Sequence, residues 1–135
     1  MSFGTPSWGI TKKLSGISYT DAVPYVKDKL VTEGFGVLTE IDVKATLKKK
    51  LDVDVTPYVI LGACNPSLAH QALSAEPGIG LLLPCNVVVS EDDDGEAVVS
   101  AVDPVRMFGV VDDVEGLAPV AAEVRERLER VIASL

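Results

Sequence analysis

Near its end the chain carries a signal that excludes most layouts an α/β sequence could take. The apolar stretch from Gly80 to Ser90, interrupted by Pro84, runs into Glu91-Asp92-Asp93-Asp94-Gly95-Glu96, and Ala97-Val98-Val99-Ser100-Ala101-Val102 follows. Asp-Gly between two β-branched runs is a hairpin turn, because its residues tolerate the positive φ that a tight antiparallel connection needs. Upstream, strands alternate with helices, a pattern that by itself would build a parallel sheet. A closing hairpin breaks the alternation and predicts an α+β fold, a single antiparallel sheet with two long helices on one face.

Trp8–Leu14 reads as the first strand. Ser18-Tyr19-Thr20-Asp21 offers helix-starting side chains, and Ala22, Val23, Val26, Leu30 and Val31 recur behind them at helical spacing. Pro24 fits only in the first turn of that helix, and Gly34 stops it near Glu33. Phe35–Ile41 is a second strand, after which Asp42 caps a short helix over Val43–Leu51. Pro57 opens a third strand, Tyr58–Cys64, apolar almost throughout and therefore central or covered on both faces. Asn65-Pro66 starts a short helix through Leu68, Ala69, Ala72 and Leu73. Asp103-Pro104 ends the last strand. After a linker, Pro119–Leu135 is amphipathic, with Val120, Val124, Leu128, Val131 and Ile132 on its apolar side.

At 135 residues the chain has the length of one domain with a true core. Residues 1–7 read as a flexible polar lead and 8–135 as the single domain. The lead has no signal-peptide pattern, which makes a cytoplasmic location the expectation. No apolar run approaches the roughly 18–20 residues of a membrane span. The two cysteines are too few for a disulfide framework and are expected as free thiols.

The formal charge of −8 is uneven: residues 1–51 hold every lysine and a net +3, and residues 52–135 a net −11. Lys44, Lys48, Lys49 and Lys50 read as a solvated helix face. No aromatic residues interleave with them to stack bases, and the acidic remainder repels phosphate, so neither nucleic acid nor a membrane is an expected partner. The run Glu91–Glu96 lacks the alternating ligands of a calcium loop.

The most informative pattern is a near-echo: Leu61-Gly62-Ala63-Cys64-Asn65-Pro66 and Leu82-Leu83-Pro84-Cys85-Asn86-Val87. The first Cys-Asn ends a strand and the second begins the next, so antiparallel pairing would put both at one edge of the sheet. Cys64 precedes a helix N-terminus, where free N–H groups and the dipole favour thiolate; Cys85 does not. The functional reading makes Cys64 a reactive or ligand-contacting thiol, with Asn65 and Asn86 fixing backbone or ligand. The structural reading makes both cysteines small buried hydrophobes and Asn65 a helix cap. Glu40, late in the second strand, is the best placed carboxylate to serve Cys64. His70, the sole histidine, stands at C-x5-H spacing from Cys64, which is not a usual zinc-ligand spacing, and no metal is expected.

Tyr58–Pro66 with Ala69 and Ala72-Leu73, followed by Gly80–Val87, resembles the DUF302 family, and Phe35–Asp42 resembles its second signature segment. Glu40, Cys64, Asn65, Pro66, Pro84, Cys85 and Asn86 fall on its motif positions. The resemblance runs from about Trp8 to Ile132. It implies a TBP-like α+β fold ordered βαββββα with small helical insertions, often a homodimer. The family has no established biochemical function, and the likeness to TBP is topological and implies no DNA binding.

Three functions follow as expectations. The first is a small-ligand site at the sheet edge formed by Glu40, Cys64, Asn65, Cys85 and Asn86. The second is a thiol-dependent enzyme or redox sensor with Cys64 and Glu40 as catalytic groups; the third is a structural or interaction module. No cofactor is readable.

Overall fold

The computed structural model describes residues 2–111 and 115–135. Five strands form one sheet: β1 (Gly9–Leu14), β2 (Gly36–Asp42), β3 (Tyr58–Cys64), β4 (Cys85–Glu91) and β5 (Ala97–Val102), in the spatial order β1-β5-β4-β3-β2. Every neighbouring pair is antiparallel. The hairpin falls where Asp-Gly placed it: Glu91 faces Ala97 across the turn, and Gly95 has a φ of +82°.

The long helices are α1 (Tyr19–Thr32) and α5 (Leu117–Ala133), with three short ones, α2 (Val43–Leu51), α3 (Pro66–Ala75) and α4 (Pro104–Phe108). Ser18 caps α1 by accepting from the Asp21 N–H, which puts Pro24 within the second turn, one turn later than the sequence suggests. Gly34, at φ +83°, ends the helix in the left-handed conformation. The Phe35 N–H then donates back to the Leu30 carbonyl at 3.0 Å, so that Phe35 turns inward.

Both long helices cover the same face. Ala22, Val26 and Leu30 of α1 and Val120, Val124, Leu128 and Val131 of α5 meet Val59, Leu61, Val87, Val89, Val99 and Ala101 of the sheet in one continuous core. The register explains the selection. Leu61 lies opposite Val87, and Val87 opposite Ala101, so these residues share the helix-covered face, whereas Asn86 and Val88 point away from it. Residues 2–6 have no helix or strand, and the Phe3 ring lies 6.4 Å from that of Tyr58, on the other parity of β3.

Two segments depart from the sequence reading. Asp103-Pro104 does not simply break β5: Asp103 caps α4, its carboxylate accepting from the N–H groups of Val105 and Arg106, with Pro104 as first helical residue. Pro77–Leu82 forms a 3-10 turn, and the Leu83–Pro84 bond is cis, so β4 begins only at Cys85. The predicted linker before α5 includes residues 112–114, which lie outside the described residues.

Candidate functional site

The antiparallel pairing of β3 and β4 brings the two Cys-Asn dipeptides to one end of the sheet. Ala63 stands opposite Cys85, and Gly62 opposite Asn86. At that end β2 carries a bulge: Val37 pairs with Ala63 but Thr39 already pairs with Gly62, leaving Leu38 extra. Gly62 is required there. A Cβ on it would run into the Thr39 hydroxyl oxygen and sit 2.8 Å from Cγ of Pro84, so glycine lets β2 and the Leu83–Pro84 segment close against β3 without a shift.

Beyond this junction lies a cavity of about 350 Å³. Its floor is Ala63, Cys64 and Cys85 at the strand ends, and α3 contributes Leu68, Ala69 and Ala72. Phe108 of α4 and Val120 and Val124 of α5 close the back, while Leu38, Leu73 and Leu83 stand towards the outside. Leu38 and Leu73 are also exposed to solvent, which makes them an apolar rim. No charged side chain lines it, and the lining is almost wholly apolar.

Asn65 is held by structure on two sides. Its Oδ1 caps α3 by accepting from the Leu68 N–H at 3.2 Å, and its Nδ2 donates to the Glu33 carbonyl at 3.5 Å. The same carbonyl, an open acceptor at the end of α1, also receives Nη1 of Arg127 at 3.1 Å. Arg130 Nη2 lies 2.8 Å from the Glu33 carboxylate and holds its pKa below the ordinary value. The Glu33 carbonyl thus joins the end of α1 to α3 through Asn65 and to α5 through Arg127.

The sequence candidates divide cleanly. Cys64, half-buried, and Cys85, buried, are free thiols lining the same cavity, and Asn65 lines it too. Glu40 and Asn86 are not among its lining residues. Glu40 is exposed and its Oε2 accepts from Nζ of Lys27 at 2.7 Å, since pairing with Leu61 turns it towards α1. Asn86 is exposed on the opposite face, one residue out of phase with Cys85. His70 is exposed on α3. Among the described residues, no group of three or more His, Cys, Asp or Glu could hold a metal ion.

The expected activation of Cys64 is not found. Burial pushes its pKa up rather than down. Asn65 already occupies the Leu68 N–H at the start of α3, and no cation lines the cavity to favour thiolate. Cys85 is pushed up to about 11, by burial first and by the neighbouring Cys64 second. Both are therefore protonated thiols at neutral pH.

Among the lining residues that sequence reasoning did not assign to the site are Leu38, Phe35, Phe108, Val120 and Val124. The bulge brings Leu38 to it, the Gly34 turn brings Phe35, α4 brings Phe108, and the buried face of α5 brings Val120 and Val124. The small side chains of Ala69 and Ala72, a turn apart on α3, were the legible sign that space is left there.

The fold and this site define a class: a small single-sheet α+β protein with an apolar, thiol-bearing cavity where β2, β3 and β4 meet. The family described as "Domain of unknown function DUF302" matches residues 10–135, and the chain belongs to it. It is similar to the crystal structure of an uncharacterized conserved DUF302 protein from Bacillus stearothermophilus, at 29% identity and a TM-score of 0.86. That likeness covers 95% of this chain and 98% of the other. A search of curated proteins finds no match.

Proposed function

We propose that this chain binds a small, neutral, largely apolar molecule in the cavity beside Cys64 and Cys85. The observation that carries the reading is the cavity itself, about 350 Å³ with almost no polar surface, opening past exposed leucines. At about 30 Å³ for each water-sized unit, that space suits a ligand, or a buried part of one, of roughly a dozen non-hydrogen atoms. A charged group would lose its hydration with no opposite charge to meet it, so the site selects against ions. The Thr39 hydroxyl and the two thiols are left to orient a ligand, because Asn65 is already engaged.

Indole and its anionic analogue indole-3-acetate test the reading by calorimetry and methyl NMR. Saturable binding of indole with shifts at Leu68, Val120 and Val124, and much weaker binding of the anion, supports it. Equal binding of both, or no saturable binding by indole or naphthalene, overturns it.

A homodimer, which the family resemblance implies, belongs to the same proposal. β2 is an edge strand with no buried residue, Leu38 and Ile41 exposed on it, and the adjacent α2 has no buried residue. Pairing through β2 would cover the Leu38 rim. Sedimentation equilibrium of the wild type and an Ile41→Lys variant tests it; a wild-type monomer at high concentration ends it.

A further inference from the structure

We infer that Cys64 and Cys85 act together as a two-thiol site for a soft, trivalent organoarsenical-type electrophile, whose organic substituent occupies the cavity. The substituent's placement rests on the apolar-ligand reading above; the two-thiol capture does not.

The placement comes from register. Ala63 is the direct partner of Cys85, and Cys64 is the next residue along β3. Opposed Cα atoms lie about 5 Å apart and each residue advances about 3.4 Å, so the two cysteine Cα atoms are separated by about 6 Å. Both residues line one cavity although they sit one position out of phase. Cys64 is the last residue of β3, paired with Gly36 of β2 and one residue past the last β3–β4 pair, Ala63 with Cys85.

Apolarity chooses the ligand. A divalent hard cation needs several oxygen donors, which the wall does not supply, whereas thiols suit soft centres. A centre R–As(OH)2 reacts with two protonated thiols: two As–S bonds form, two As–O bonds break, and each thiol proton leaves with a hydroxide as water. No oxidant is consumed and oxidation states do not change. The product is neutral, so an apolar cavity holds it without burying a charge. Cys64, half-buried, is the first point of contact, and Cys85 closes the ring from the cavity wall.

The test titrates the folded full chain with phenylarsine oxide and, separately, with methylarsonous acid. The expected result is one arsenic unit per chain, with a mass gain short of that unit by two protons. Both thiols disappear from a thiol assay, the circular dichroism is unchanged, and a small dithiol reverses the capture. Losing one thiol removes an intramolecular second bond, so Cys64→Ser and Cys85→Ser each weaken capture on the order of a hundredfold. Cys64→Ser alone decides the matter if Cys85→Ser does not fold, its position being half-exposed. Capture by the single-cysteine variant as tight as by the wild type, or capture only after unfolding, overturns the inference. Indole binding without arsenical capture removes this inference and leaves the apolar-ligand reading standing. Two-thiol capture that indole does not compete with, equal for phenyl and methyl substituents, does the reverse.

Discussion

Filling the cavity tests whether it is real space, and Ala69 is the position from which to fill it. Ala69 is half-buried, lies on α3 and lines the cavity beside Leu68 and Ala72. Ala69→Leu adds the equivalent of three methylene groups to a space of about 350 Å³. At about 0.8 kcal/mol for each buried group, the added burial contributes about 2.4 kcal/mol. Ordering the leucine side chain costs about 0.5–1 kcal/mol, and helix propensity changes little from alanine to leucine. The net expectation is a stabilisation of about 1.5 kcal/mol, an upper figure because denatured chains already bury some surface. Urea unfolding monitored by circular dichroism measures it, with an unchanged m-value required for the comparison. The same variant should bind indole at least several-fold more weakly. If this part of the molecule were already close-packed, the extra side chain would instead cost about 1–3 kcal/mol. A destabilisation in that range with indole affinity intact would refute the reasoning.

Four further outcomes are expected. Gly62→Ala forces a Cβ against Thr39 and Pro84 and should destabilise by about 1–3 kcal/mol in the same assay, with indole affinity reduced as the bulge shifts. Asn65→Ala removes the α3 cap and the tie to the Glu33 carbonyl; a loss of about 1–2 kcal/mol is expected, and Asn65→Asp should recover part of it by restoring the cap. For Cys85 the folded pKa of about 11 lies above the ordinary 9.0, so its neutral thiol favours the folded state fully below pH 9, and that contribution falls away between pH 9 and 11. About 2–3 kcal/mol of pH-dependent stability should vanish from the difference curve when Cys85→Ala is compared with the wild type. Iodoacetamide at pH 7 should label Cys64 more slowly than a free thiol and Cys85 more slowly still in the folded chain; a rate above that of a free thiol at either site would restore the nucleophile reading.

The sheet was legible because its signals are local. Asp94-Gly95 can hardly be anything but a hairpin turn, the apolar run Tyr58–Cys64 fits a central strand, and Asp42 caps α2 where its side chain suggested. α4 went unread because Asp103-Pro104 serves equally as a strand breaker and as a helix cap followed by a first-turn proline, and only tertiary packing of Phe108 decides between them. In the site, adjacency in sequence misled for Asn86, since neighbours on a strand face opposite ways. For Glu40, strand position alone could not show that its register partner is the core residue Leu61, which directs it towards Lys27. Cys64 and Cys85 came together as antiparallel pairing requires, but the electrostatics of Cys64 depend on what encloses it. The cavity around it is walled by apolar side chains from the adjoining α3 and from α4 and α5, which are distant in sequence. The first-half and second-half charge asymmetry finds one structural use at the hairpin, where Lys13 of β1 pairs with Asp94 and lies 3.6 Å from Asp92.

The central claim is an accessible apolar cavity at the Cys64–Cys85 end of the sheet, and methyl NMR during an indole titration tests it most directly. Saturable shifts are expected at Leu68, Leu83, Val120 and Val124, with the remote core methyls of Val26 and Val99 unmoved. Shifts spread evenly over exposed Leu51, Val53 and Leu81, or none at the four cavity residues, would contradict it.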